Sequence, residues 1–199
     1  MCPCTCKREI DVRRIEVKSY AHQFPACMYM GTSSTSDLKV GDTYQSYDTF
    51  TEAEEAGMFV IRQDTDLLPK GLLASVVEEA KNLRDRGMIV PDEIDHLVPH
   101  ISSFFFYDKF QKQLEEEGLN IPKEKWFTNL ASKGNTGTAS VYIMLEEALN
   151  TGRFKDGEKI LCMIPESGRF SVSYALFTLL LTHIPDPTSK SKTTPPDFC

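Results

Sequence analysis

Gly134-Asn135-Thr136-Gly137-Thr138-Ala139-Ser140 stands between a short extended segment, Trp126-Phe127-Thr128-Asn129-Leu130, and an amphipathic run beginning near Ala139. The sequence therefore predicts a strand-to-helix turn built of small and hydroxyl residues. Such turns present polar groups to ligands on a rigid support. Gly134 and Gly137 permit backbone conformations that a branched residue resists, and Thr136 or Thr138 is placed to cap the free N–H groups of the following helix. Asn135 is then held where its carboxamide can donate to a developing oxyanion. Taken alone, the same residues also describe nothing more than a capped helix start.

A second stretch sharpens the reading. In Asp95-His96-Leu97-Val98-Pro99-His100 an apolar segment ends at Pro99 and delivers His100 to the expected start of a helix. Apolar flanks and a positive helix end both favour neutral imidazole, the form able to donate or accept a proton near neutral pH. A lone histidine there is ordinarily structural. The pairing of His100 with Asn135, thirty-five residues on, is what gives either residue weight.

Together Val98-Pro99-His100 and Gly134-Asn135-Thr136 resemble the β-ketoacyl-ACP synthase III family. The likeness continues through Asn135-Thr136-Gly137-Thr138-Ala139-Ser140-Val141, Leu145-Glu146-Glu147-Ala148-Leu149 and Gly152-Arg153-Phe154-Lys155-Asp156-Gly157-Glu158, and spans residues 10–181. Within the family the chain looks closest to ketosynthases that make dialkylresorcinol and related lipids. Ser19-Tyr20-Ala21-His22, Cys27-Met28-Tyr29, Arg62-Gln63-Asp64-Thr65, Trp126-Phe127-Thr128-Asn129-Leu130 and Ile164-Pro165-Glu166-Ser167-Gly168-Arg169-Phe170 carry that finer resemblance.

The resemblance implies a duplicated thiolase-like fold of two similar halves, of which this chain matches the second, and a Cys-His-Asn triad. His100 matches the catalytic histidine and Asn135 the asparagine; no residue matches the nucleophilic cysteine. It implies decarboxylative Claisen condensation of acyl and malonyl thioesters, the acyl group first passing to the cysteine, which splits one hard step into two easier ones. Gly134, Thr136, Gly137 and Gly168 fall where the family lines its substrate site. No cofactor or metal is implied, since acyl-CoA or acyl carrier protein thioesters are the substrates. The implied partners are a cysteine-bearing N-terminal half or a second copy of the chain, and an acyl carrier protein. The alternative is a non-catalytic remnant or interaction subunit that retains the fold. Relatives place Gln-Ala-Asn after the histidine and a carrier-docking arginine on the next helix; here Ile101-Ser102-Ser103 and Phe105 stand instead.

Bulk properties agree with a cytoplasmic domain. The 199 residues are 41% hydrophobic with no apolar run long enough to span a bilayer. A net charge of -7 argues against a general nucleic-acid binder. Lys109, Lys112, Lys123, Lys125 and Lys133 are candidates for a local basic patch that would receive an acidic carrier, or for an ordinary solvated face. Cys2, Cys4 and Cys6 open the chain as C-x-C-x-C without a second ligand cluster, so residues 1–9 read as a ragged start rather than a metal site.

The rest reads as an α/β domain with a mixed sheet and helices on its faces, over residues 10–184. Residues 10–17 alternate like a strand, with one slip at Arg13-Arg14. Residues 31–57 read as a long polar loop with Glu52, Glu54 and Glu55 solvated. Leu72, Leu73, Val76, Val77, Ala80 and Leu83 mark a core helix ended by Gly87, and Phe106, Phe110 and Leu114 mark another. Val141, Met144, Leu145, Ala148 and Leu149 are the buried stripe of a third, with Glu146 and Glu147 on its solvated side. Residues 159–164 and 171–181 read as buried strands that make Cys162 a packed thiol. Cys27 has no helix start after it to activate it. Residues 185–199 are too polar to bury themselves and read as a disordered tail. Such a half should expose a large apolar surface when alone, because the family buries its halves against one another.

Overall fold

Alternation along residues 159–166 sets the layers of the molecule. In the computed structural model, which describes residues 4–31 and 44–185, the elements run β1 (Cys4–Ser19), β2 (Met28–Met30), α1 (Phe50–Glu55), β3 (Ile61–Gln63), α2 (Leu67–Asp85), β4 (His96–Pro99), α3 (Phe104–Glu116), α4 (Leu130–Lys133), α5 (Ser140–Asn150), β5 (Lys159–Glu166) and β6 (Ser171–Pro185). The main sheet has the order β1-β6-β5-β4, with β4 and β5 parallel and the other pairs antiparallel. β2 and β3 form a separate two-stranded ribbon. This is the mixed α/β sheet the sequence predicts.

Successive side chains of a strand face opposite ways, and both faces here are covered. Leu97, Leu161, Met163, Val172 and Tyr174 pack with Leu72, Val76, Ala80 and Leu83 of α2 and with Phe106, Phe110 and Leu114 of α3. Val98, Ile160, Cys162, Ala175 and Leu179 pack with Val141, Met144, Leu145 and Ala148 of α5. Each such side chain removed from water contributes about 1.5–3 kcal/mol. The helix faces are those the 3.6-residue period selects, except that Val77 and Leu149 are only partly buried.

Several local readings are corrected. Leu130 does not extend the segment before it but opens α4, and Trp126 touches the sheet as a single parallel bridge to Leu97. Within residues 31–57 the described part, from Tyr44, is not all loop. α1 starts on a capping box in which the Thr49 hydroxyl accepts from Glu52 N–H and the Glu52 carboxylate accepts from Thr49 N–H. Residues 32–43 and the tail beyond Pro185 lie outside the described residues. β1 begins at Cys4, ahead of the alternation that reveals it, with Cys4 and Cys6 opposite Pro185 and His183. The Arg13-Arg14 slip is a register shift against β6 between Val12 and Arg14, a bulge that keeps Ile15 and Val17 on the side of Val12.

That side of β1 lies beyond the reach of α5. Val12, Ile15 and Val17 are 55%, 58% and 69% exposed, forming the uncovered apolar strip expected of the chain alone. A solvatochromic apolar dye is therefore expected to bind the folded chain, and charged substitutions at Ile15 and Val17 to abolish most of that signal. Equal dye fluorescence in the substituted chain would place the accessible apolar surface elsewhere.

A second constraint ties the turn after β5 to α2. Phe170 is fully buried with φ 57°, a left-handed conformation uncommon for a side-chain-bearing residue. Its ring lies flat on Gly71, where an added Cβ would sit 2.5 Å from Cζ and 2.6 Å from Cε1. Gly71→Ala gains about 1 kcal/mol of helix propensity. It also overpacks a ring that Phe24 holds edge-on, a cost of about 1–3 kcal/mol or more. The clash is expected to win, lowering the urea midpoint with an unchanged m-value; a raised midpoint would refute the packing argument.

Candidate active site

β4 carries the chain through buried Leu97, Val98 and Pro99, and His100 N–H adds one further rung by donating to Met163 O at 2.8 Å. The His100 ring is half-buried on the α5 side of the sheet. Its Nδ1 is buried and has no hydrogen-bond partner among the described residues. Burial holds the imidazole pKa below its ordinary 6.5. The helix end invoked from sequence is not the cause: α3 starts only at Phe104, capped by the Ser103 hydroxyl accepting from Phe105 N–H. His96, at the other end of β4, is a contrast. Its Nε2 meets Glu158 Oε2 at 2.8 Å and its ring packs on Phe154, so it is held as a structural histidine.

The turn around Asn135 is built differently from the capped start expected. Neither Thr136 nor Thr138 caps α5, whose N-cap residue is Ala139. Asn135 Oδ1 accepts from Gly137 N–H at 3.0 Å, and the Thr136 and Ser140 hydroxyls pair at 2.9 Å. Gly134 and Gly137 have φ of 72° and 61°, with open space where a Cβ would stand. Glycine is therefore required there by backbone conformation and not by crowding. Every residue from 131 to 139 is exposed. With Oδ1 committed to Gly137, the Asn135 carboxamide has its Nδ2 donors left for a ligand.

His100, Thr128, Asn129, Gly134, Ser140 and Met144 line one tight crevice. It forms at the carboxyl ends of the parallel strands β4 and β5, where open α/β sheets bind ligands. Asn135 follows Gly134 at its rim. Gly168 lies on the turn after β5, at the same end of the sheet. Its N–H donates to the Glu166 carboxylate and its carbonyl accepts from Cys27 N–H at 2.8 Å. Both polar groups of that peptide are thus engaged.

Neither described free thiol has nucleophilic character. Cys162 is fully buried and pushed up to about 12 by desolvation. Cys27 is also fully buried, raised by desolvation and then by Asp64, whose carbonyl its thiol faces at 3.3 Å. The lysines do not form an open basic patch. Lys123 pairs with Asp108, Lys112 with Glu116, Lys125 donates to Ile94 O and Lys109 sits over the Phe105 ring. Lys133 lines a surface cleft with Glu146 and Glu147.

One pair escaped the sequence reading. Glu147, assigned there to the solvated side of α5, is half-buried, and its Oε2 accepts from Nδ2 of buried Asn129 at 2.8 Å. Nothing local marks this contact. It joins residues eighteen apart through a turn that only the folded chain closes.

Residues 85–168 match the model of the 3-oxoacyl-[acyl-carrier-protein] synthase III C-terminal family. The β-ketoacyl-[acyl-carrier-protein] synthase III of Aquifex aeolicus is 34% identical over 101 residues, 51% of this chain and 31% of that protein. That of Desulfotalea psychrophila is 30% identical over 129 residues, 65% of this chain and 34% of its own length. This chain thus spans about a third of the curated relatives it matches. The crystal structure of the Aquifex aeolicus 3-oxoacyl-[acyl-carrier-protein] synthase III superposes with a TM-score of 0.58 at 23% identity, covering 85% of this chain and 44% of that one. The Thermus thermophilus β-ketoacyl-[acyl carrier protein] synthase III superposes with a TM-score of 0.61 at 19% identity, covering 87% and 48%. These likenesses show a shared thiolase-like α/β fold, and residues 85–168 are similar to the C-terminal domain of 3-oxoacyl-[acyl-carrier-protein] synthase III.

Proposed function

We propose that this chain is the C-terminal portion of a condensing enzyme, joining acyl and malonyl thioesters with loss of CO2. It contributes His100 and Asn135 to a site whose nucleophilic cysteine comes from an N-terminal half outside this chain. The observation that carries the reading is the crevice in which half-buried His100 faces the Gly134 end of the turn presenting Asn135.

Neutral His100 and the free Nδ2 of Asn135 supply two N–H donors to the carbonyl oxygen of a malonyl thioester. As the C–C bond to the carboxylate breaks, CO2 leaves and its electron pair passes into the thioester as an enolate, whose oxygen the two donors stabilise. The enolate carbon then attacks the acyl–cysteine carbonyl. A C–C bond forms and the cysteine thiolate leaves, giving the β-keto thioester. Gly134, Thr136 and Gly137 border the substrate with exposed backbone; Gly168, against Cys27 and Glu166, stands outside the lining of the His100 crevice, and its assignment to the substrate site rests on the resemblance alone. Lipid synthesis of the dialkylresorcinol type is the finer assignment, resting on the residues quoted from sequence. Acyl-CoA or a carrier protein delivers the substrates, and the engaged lysines favour a docking mode that does not rely on a basic patch.

Incubated with acyl and malonyl thioesters, the chain is expected to release CO2 and form β-keto product only alongside a cysteine-bearing N-terminal half. His100→Ala and Asn135→Ala are each expected to lower the rate by about 10²–10³, the scale for losing one oxyanion donor. A well-folded complex without product would overturn the reading in favour of an interaction subunit.

The protonation state has its own check. Because the folded pKa of His100 lies below its unfolded 6.5, the unfolded chain binds the proton first. The stability this group supports is intact above pH 6.5 and declines as pH falls toward the folded pKa. Imidazole titration by NMR is expected to give His100 a pKa under 6.5, and His100→Gln to flatten the acid loss of stability. A value at or above 6.5 would contradict a desolvated, neutral donor.

A further inference from the structure

The geometry points to Asn129 and Glu147 as the pair that positions the Asn135 turn over His100. This rests on the reading of His100 and Asn135 as site residues. The turn has little else to hold it, since residues 131–139 are all exposed. Its described hydrogen bonds are local: Gly134 N–H to Leu130 O, Gly137 N–H to Asn135 Oδ1, Ala139 N–H to Thr136 O, and Thr136 with Ser140. Asn135, carried on such a loop, would sample many orientations, whereas an oxyanion donor has to be fixed in advance of the charge it meets.

Asn129 supplies the fixed point. It is 8% exposed and lines the His100 crevice. Its carbonyl accepts from Ser132 N–H at 3.0 Å, Lys133 N–H at 2.9 Å and Ser132 Oγ at 3.1 Å, which winds α4 around it. Its side-chain amide donates to Glu147 Oε2 at 2.8 Å. The amide orientation is fixed chemically, because a carboxylate only accepts and must face the NH2 group. Glu147 stands two turns inside α5, whose Val141, Met144, Leu145 and Ala148 are packed on the sheet. One charge-assisted hydrogen bond thus ties the front of the turn to a rigid element behind it. The two ends of the turn are set by core packing, and Asn135 is carried between them.

Asn129 and Glu147 are positioning residues, so the test reads the turn as well as the chemistry. Amide exchange of Ser132, Lys133 and Gly134 is followed by NMR on the full chain. Asn129→Ala and Glu147→Ala are each expected to speed it about tenfold or more, the scale of one lost charge-assisted bond. The double variant should be no faster than either single one. Glu147→Gln, whose amide oxygen still accepts, is expected to stay near the parent rate, with the β5 amides unchanged throughout. Should Asn129→Ala fail to fold, Asn129→Asp sets two carboxylates face to face, and exchange of the same amides is expected to exceed the parent's at neutral pH by a ratio that shrinks when both proteins are compared at acid pH.

In the condensation assay with the N-terminal half, kcat is expected to fall in Asn129→Ala and Glu147→Ala with KM little changed, and to recover in Glu147→Gln. Unchanged exchange in both alanine variants, or a Glu147→Gln as perturbed as Glu147→Ala, would overturn the proposal. Faster exchange in the alanine variants of a chain whose parent is inert in condensation would uphold the pair as the clamp of the turn and remove the catalytic reading alone.

Discussion

Parallel pairing of β4 with β5 is the constraint on which the site depends. Leu97 sits against Leu161, Val98 against Cys162 and Pro99 against Met163, and the ladder runs one rung further to bind His100 N–H. A slip of one residue would exchange the faces of the strand, sending Val98 toward α2 and Leu97 toward α5 and turning His100 away from the Asn135 turn. The register is held from both faces because Leu97 and Val98 are each fully buried in different clusters. The placing of His100 beside the Asn135 turn is therefore a consequence of core packing.

The same packing explains the chemical state of the histidine. An imidazole half-sunk between a sheet and a helix, with Nδ1 cut off from water and unpaired, pays to become charged and stays neutral. His96, the first residue of the same strand, keeps a carboxylate partner in Glu158. Both histidines thus keep a buried Nδ1 unpaired among the described residues, and what separates them is the carboxylate partner on His96 Nε2.

Asymmetry between the faces of β1 shows where this domain is incomplete as a packing unit. α5 covers the sheet only as far as Ala175 and Leu179, and Val12, Ile15 and Val17 beyond it face water. At the opposite corner the Phe170 ring fills the space left by the missing side chain of Gly71, welding the β5–β6 turn to α2. The chain has one well-closed core layer and one that ends before the sheet does.

Periodicity sufficed to read α2, α3, α5 and both long strands, because burial on one face imprints a repeat on the residues themselves. The Arg13-Arg14 slip even announced the bulge. The motifs around His100 and Asn135 were legible as candidates, strings of residues whose types suit a desolvated imidazole and a backbone-supported donor. Sequence misplaced the cap of the Asn135 turn, since several hydroxyl and amide oxygens compete locally for the same N–H groups and nearly equal choices are settled by the fold. It also gave Glu147 to solvent, because a carboxylate on a helix flank is normally hydrated. Only the tertiary structure decided that Asn129 would be buried beside it, that His100 would be neutral through desolvation rather than a helix end, and that Gly168 would spend its amide on Glu166. Each of these depends on which segments meet across the sheet, a long-range outcome that no short window of residues encodes.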